Sequence, residues 1–329
     1  MRAEIFTPGR GPAPDGWDAL VRSSNGCALW EEALLEAAAW GSLRPVHAGL
    51  VRDAGEPVAA FCGLLGLLSP SGRFAAPERP RPPGWFQVHL PNSFSSGRTY
   101  ADRLDAAARR TALRAFERAL RRHLGARCLG VLHRDVEKDE LADTTGRFTV
   151  RRRTAPCSVL HNRWDSMDAY FAGLPRTRRR RLTALYERVG DDPGLVTERV
   201  AAVDPVRASR LDQLTRMKHT RRPGATTPLL PAYFERLNTH PGASYFTHRE
   251  RASGRLLSLD LVLDVPGGWA TTVTGSDGTR DLYLDLYLRE IDRMIGAGVG
   301  AVHLGPGMRG LKESFGAVVV ERHAVAVPF

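Results

Sequence analysis

The feature that most constrains the fold of this chain is a segment that occurs twice. Residues 48–65 (AGLVRDAGEPVAAFCGLL) and 246–263 (FTHRERASGRLLSLDLVL) line up as strand, polar turn with glycine, strand. Turn residues between two apolar runs read as a hairpin. Each copy is followed, after a spacer, by a long helical pattern (100–124 and 282–295) and then a strand (127–133 and 301–304). Duplication on this scale predicts two copies of one α/β unit, and 329 residues suffice for two domains. The expected division is an N-terminal domain over 1–154 and a C-terminal domain over 155–329.

The rest of the chain fits the same plan. In the first half, helices are expected at 17–21 and 28–40, hairpin strands at 47–52 and 57–68 around Asp53-Ala54-Gly55-Glu56, and a Pro/Gly/Arg-rich loop at 69–84. In the second half a strand at 158–164 precedes a helix with Met167, Tyr170, Phe171 and Leu174 at helical spacing, capped by Asp165. A strand at 195–200, helices at 205–218 and 231–239, a hairpin of 243–250 and 255–264, and a strand at 268–274 follow. After helix 282–295 come strand 301–304, the loop Gly305-Pro306-Gly307, a short helix around Leu311 and a last strand at 318–327.

Charge is unevenly placed. The net charge is +11, and residues 151–222 hold 17 basic and 8 acidic side chains, a surplus of nine. A local excess points to a polyanionic partner more than a uniform one does. Within it, 174–189 reads LPRTRRRRLTALYERV. Leu182, Leu185, Tyr186 and Val189 form an amphipathic stripe, so Arg176, Arg178, Arg179, Arg180 and Arg181 fall in and just before the first helical turn. Cations there oppose the helix dipole. Phosphate, which guanidinium grips in two-pronged fashion, would relieve the conflict. Lys218, His219, Arg221 and Arg222 form a second basic cluster before a Pro/Gly loop.

Other classes find no support. Cys27, Cys62, Cys128 and Cys157 are scattered without CxxC spacing, so neither a metal site nor a disulfide framework is expected. The N-terminus has no apolar signal region, and no run reaches the ~20 residues of a membrane span, so a soluble cytoplasmic protein is expected. There is no Ser-His-Asp signature, no HExxH, no Walker loop and no GxGxxG after a strand.

Two stretches carry a resemblance to a known group. LPRTRRRRL looks like the L-S-R-K-x-R-R-x-[LI]-R stretch of tandem GNAT-like transferases related to the Fem-type peptidoglycan aminoacyltransferases. The C-terminus, YLDLYLREIDRMIGAGVGAVHLGPGMRGLKESFGAVVVERHAVAVPF, is similar to that group's ending: helix, strand, Gly-rich turn, Lys-x-x-Phe-Gly, strand. The resemblance implies an α/β (α+β) fold of two tandem GNAT (acyl-CoA N-acyltransferase)-like domains, each a mixed, mostly antiparallel sheet flanked by helices. It implies an aminoacyltransferase that forms an amide by moving an amino acid from aminoacyl-tRNA to a small amine or peptide-like acceptor, in cell-wall assembly or in secondary metabolism such as antibiotic biosynthesis, with no cofactor. The alternative is a GNAT-type N-acyltransferase with acyl-CoA as donor. Such enzymes carry a [QR]-x-x-G-x-[GA] pyrophosphate loop, and this chain has no good copy of it. The long coiled-coil insertion frequent in Fem-type proteins is also missing.

Candidate site residues follow. By resemblance, Lys312, beside Phe315-Gly316, lies near the donor ester, where an ammonium holds a phosphate or an oxyanion. Arg179 matches the most regular arginine of the group's stretch, with Arg176 and Arg180 beside it as phosphate ligands and Arg221 and Arg222 as the second basic pair. His303, in a strand before a glycine turn, is a candidate general base. Asp260 interrupts the apolar strand Leu256, Leu257, Leu259, Leu261; a carboxylate there needs a partner. It is a candidate base or ligand for a substrate ammonium. Tyr245, Tyr283 and Trp269 are expected in the core.

Overall fold

In the computed structural model, which describes residues 1–24, 27–42, 45–67, 83–144, 148–219, 229–279 and 281–329, the chain divides into two compact units. The first comprises Met1–Pro156 with Glu321–Phe329, the second Cys157–Val320. The first runs in order β1 (Arg2–Phe6), α1 (Trp17–Ser24), a 3-10 turn (Ala28–Trp30), α2 (Glu32–Ser42), β2 (Val46–Asp53), β3 (Glu56–Leu67), β4 (Gly84–Val88), β5 (Arg98–Tyr100), α3 (Ala106–Leu124), a second 3-10 turn (Gly125–Arg127), β6 (Cys128–Val136), α4 (Leu141–Thr144) and β7 (Val150–Arg153). The second holds β8 (Cys157–His161), α5 (Met167–Ala172), α6 (Arg176–Gly190), β9 (Leu195–Val200), α7 (Pro205–His219), α8 (Pro231–Leu237), β10 (Ala243–Glu250), β11 (Leu256–Val265), β12 (Gly268–Ser276), α9 (Leu282–Gly296), β13 (Ala301–Gly305), α10 (Arg309–Ser314) and β14 (Val318–Val320). β15 (His323–Pro328) then completes the first unit.

Each unit is built on one mixed sheet, with strand order β1-β2-β3-β4-β6-β15-β7 in the first (β5 pairs β3) and β14-β8-β13-β12-β11-β10-β9 in the second. Read from the opposite edge, the second order matches the first. The duplicated hairpins are β2–β3 and β10–β11, both antiparallel. Each sheet has one parallel pair, β4–β6 or β12–β13, with a long helix, α3 or α9, between its strands in sequence. A parallel pair needs such a crossover.

Two boundaries move for physical reasons. α3 starts at Ala106, where Asp105 accepts from the Ala108 N–H (2.7 Å), because residues 98–100 pair with β3 instead. α5 is capped by Ser166, which accepts from Ala169 N (3.2 Å), and not by Asp165. The larger correction concerns the end of the chain. The single strand expected at 318–327 is two: β14 pairs β8 in the second unit, and β15 lies between β6 and β7 in the first. Sequence alternation cannot reveal this, since it reports which face is buried and not which sheet supplies the neighbours. The domain expected over 155–329 therefore ends at Val320.

The core of the first unit packs α3 on the sheet, with Phe61 and Phe116 stacked at 4.5 Å. The second core, between the sheet and α5, α6 and α9, is apolar at its edges and polar in the middle. There His248 (β10) bridges Ser258 (β11, 2.7 Å) and Asp285 (α9, 2.7 Å), and Arg289 adds Nε to Asp285 (2.9 Å) and donates to the Tyr186 carbonyl (2.7 Å). Ser258, His248 and Asp285 are fully buried, and this serine–histidine–aspartate chain ties β10 and β11 to α9. Removing its central carboxylate strands a buried cation. Asp285→Ala is therefore expected to cost about 3 kcal/mol or more in urea unfolding.

Candidate functional site

The second unit opens where its parallel pair parts. β12 and β13 pair only at their starts, Trp269 with Val302 and Ala270 with His303. Backbones are closest there: a Cβ on Gly268 would sit 2.1 Å from the Ala301 carbonyl oxygen, which is why glycine is required. Beyond that point the strands diverge. A cleft of about 250 Å³ lies at the C-terminal end of β12, lined among others by Thr215, Lys218, Ser276, Thr279, Tyr283 and Met308. Ligand sites in open α/β sheets favour such a place, outside the carboxyl ends of strands at a switch in order. The first turn of α9 borders the cleft and presents the positive end of its dipole.

Lys312 explains how the opening is held. Its side chain is buried, and its ammonium donates to the carbonyls of Leu304 (2.5 Å), Gly305 (3.1 Å) and Pro306 (3.0 Å). An ammonium has three protons, and all three go to the end of β13 and its loop. The lysine replaces the donors that a pairing strand would have supplied. It positions the loop and is not free to hold an oxyanion. Burial pushes its pKa down to about 8, against the opposing pull of Cys157, Asp260 and Glu290.

Behind the cleft lie two buried carboxyl groups. Asp260, on β11, is fully buried, and neither of its oxygens completes a hydrogen bond with a described residue. Burial pushes its pKa up to about 7; the Thr274 hydroxyl, opposite it on β12, and the Lys312 ammonium pull the other way without closing a bond of normal geometry. Glu290 on α9 accepts from Thr271 (2.5 Å) and is raised to about 8, by burial first and then by the charge of Asp260. Tyr283 connects this interior to the cleft. Its hydroxyl donates to Met308 Sδ (2.8 Å), which leaves Tyr287 as donor between the two phenols (3.2 Å). Both tyrosines feel the charge of Asp260.

The structure thus brings Asp260 and Lys312 together. His303 it places elsewhere: on β13 its side chain is on the face opposite Val302 and Leu304, which pack into the core beside α9, so it is turned away from Asp260, and it is not among the residues lining the cleft. Arg176, Arg179 and Arg180 share one exposed face of α6, at i, i+3 and i+4, opposite the buried Leu182, Leu185 and Val189. They form no ion pair among the described residues, and the helix has no side-chain cap and no acidic residue in its first turn. Arg178 alone turns inward, toward Tyr170, whose hydroxyl donates to the Phe315 carbonyl (3.2 Å). Arg221 and Arg222 lie outside the described residues; Lys218, just before them, lines the cleft.

Glu290, Tyr283 and Tyr287 escaped the sequence reading as a group. The available signal was their place on one face of α9: Tyr283, Tyr287, Glu290 and Met294 recur at i, i+4, i+7 and i+11, so the glutamate interrupts a buried stripe. No group of His, Cys, Asp and Glu with metal-binding geometry occurs among the described residues, and no described helix is long and apolar enough to cross a membrane.

No known protein-family model matches the chain, and no curated protein does. Solved structures do. FemX is 13% identical, with 99% of this chain and 97% of that chain covered at a TM-score of 0.62. L-PGS from Bacillus licheniformis is 11% identical, covering 96% and 92% at 0.60. A conserved protein of unknown function from Bacteroides thetaiotaomicron is 11% identical, covering 98% and 100% at 0.59. In both its units and in their order along the sequence, the chain has the tandem GNAT-like fold that these structures share, as the resemblance of its arginine stretch and C-terminus implies.

Proposed function

We propose that this protein is an acyltransferase that forms an amide bond, taking an amino acid from aminoacyl-tRNA and joining it to the amine of a small or peptide-like acceptor. The observation that carries the chemistry is the parted β12–β13 pair, with a cleft at its mouth and the unpartnered Asp260 behind it, its pKa raised to about 7. A base works best when its pKa lies near the working pH. In the proposed reaction the acceptor nitrogen attacks the ester carbonyl carbon. The C–N bond forms, the C–O bond to the ribose breaks, and the nitrogen's proton ends on the departing ribose oxygen. Once the Tyr287 hydroxyl turns from Tyr283 to Asp260, and that of Tyr283 from Met308 to Tyr287, the two phenols relay that proton between the cleft and Asp260, while the first turn of α9 and the open edge of β12 face the oxyanion. Lys312 acts through the loop it holds. Burial raises both carboxyls of the pair, and the charge of Asp260 raises Glu290 further, so together they give up their protons at higher pH than two separate carboxyls would.

The choice of donor rests on α6. Three exposed arginines on one face, unpaired among the described residues and set at the positive end of a helix dipole, suit a phosphate backbone. The fold is shared with FemX and with L-PGS, which supports the same class of reaction. The test is binding of a hydrolysis-resistant aminoacyl-tRNA, titrated with salt, beside acyl-CoA thermal shift. Saturable binding with a steep salt slope is expected. Arg176→Ala/Arg179→Ala/Arg180→Ala should weaken it by at least about tenfold and flatten the slope by about 2 to 3, the release expected for three lost phosphate contacts. Stabilisation by acyl-CoA without tRNA binding would transfer the protein to the acyl-CoA-dependent enzymes.

A further inference from the structure

We propose that the first unit carries a separate site for the phosphate group of a small phosphorylated molecule, built around β15 where that strand lies between β6 and β7. A cleft of about 320 Å³ is lined there by Lys138, Leu141, Arg151, Arg153, Glu321 and His323. The register explains the convergence. His323 pairs directly with Arg153 on β7 and with Val136 on β6, and Val325 pairs with Arg151. Directly paired residues share a face of the sheet, so the two arginines and the histidine stand on one side. Lys138 and Leu141 come from the turn and short helix that follow β6.

The familiar account of such arginines is that charged side chains guard an exposed edge strand and cover apolar neighbours with their stems. β7 is an edge strand, and Val136, Leu141, Val325 and Val327 form a small buried cluster beside it. That account leaves the histidine unexplained. His323 is only 5% exposed, lines the cleft, and its Nδ1 has no hydrogen-bond partner among the described residues. A buried polar atom without a partner is costly unless a ligand or water completes it.

The charges select the ligand. Three cations face a single carboxylate, and among the described residues that carboxylate is held only by Arg153 (3.4 Å), in an exposed pair of little strength. Lys138 and Arg151 have no ion-pair partner among the described residues. The surplus of two matches a phosphate dianion. Arg151 and Arg153, two residues apart on a strand, are about 7 Å apart along it, so their guanidinium groups can grip a tetrahedral oxyanion from two sides. The cleft has room for a phosphate group together with the group that carries it.

The full-length chain should be titrated calorimetrically with inorganic phosphate and with pyrophosphate at constant ionic strength, with the histidine ring signals followed by NMR. Saturable binding is expected, with the His323 ring signal shifting along the same isotherm. Arg151→Ala/Arg153→Ala should weaken it at least tenfold and Lys138→Ala severalfold. Arg118→Ala, which removes an exposed charge elsewhere on the first unit, should leave it unchanged. Absence of saturable binding, equal weakening in the Arg118 variant, or a His323 signal that does not move overturns the site. Loss only in the α6 triple variant also overturns it, and would credit the anion to the arginines of the proposed donor site.

Discussion

Asp260→Asn is expected to lower the rate of amide formation by about 10²- to 10⁴-fold, the usual worth of a positioned base, while the protein stays folded. Asparagine keeps the shape and removes the charge. Wild-type kcat/KM should rise with pH and level off above about 7, as the carboxyl raised by burial loses its proton. The variant should lose that limb. A stability readout separates this role from a merely structural one. Because the folded pKa exceeds the ordinary 3.8, the folded state holds the proton more tightly, and stability falls as pH rises from about 4 to 7. A carboxyl moved from 3.8 to about 7 carries up to about 4 kcal/mol, less whatever Glu290 shares of the same proton. The asparagine variant should therefore unfold at higher urea concentration than wild type at pH 8, and with little difference at pH 4. Transfer within threefold of wild type would remove Asp260 from the mechanism; a variant less stable at pH 8 would contradict the burial argument itself.

Ending the chain after Val320 is expected to unfold the first unit and spare the second. The nine residues removed contain β15, which pairs on both sides, with β6 and with β7. Val325 and Val327 go with it, both buried with Val136 and Leu141. Each valine contributes about 2 kcal/mol by burial, and the ladders on both sides add about 1 kcal/mol per bond. The loss exceeds about 5 kcal/mol, comparable to the whole stability of an ordinary domain. Peptide-resolved hydrogen exchange should show residues 1–156 exchanging as an open chain and 157–320 still protected. Protection retained in both segments would mean that β15 is dispensable.

Much of the second unit is legible in the sequence because its signals are local. The stripe Leu182, Leu185, Val189 is buried on α6, β9 and β10 have the bounds expected of them, and the Arg251–Gly254 turn joins β10 to β11. The short strands β1, β4 and β7 are not legible. Strands of four or five residues carry too few alternations to rise above their polar surroundings, and β7, with three arginines in four residues and every side chain exposed, has no apolar face at all.

The candidate site divides in the same way. Asp260 and Lys312 stand out in sequence, one as a carboxylate in an apolar strand and the other by resemblance. Nothing local says that the lysine spends its three protons on the carbonyls of residues 304–306, or that Glu290 joins the pair from α9. By itself the sequence determined the repeat of strand, turn, strand, helix and strand, and the basic face of α6, since periodicity and composition act over a few turns of chain. Only the tertiary structure decided that β15 belongs to the first sheet, that β12 and β13 part over a cleft, and that His303 is turned away from Asp260. Those outcomes depend on which backbone groups find partners far along the chain, and on how deeply each charge is withdrawn from water, and neither is a property of any local stretch of residues.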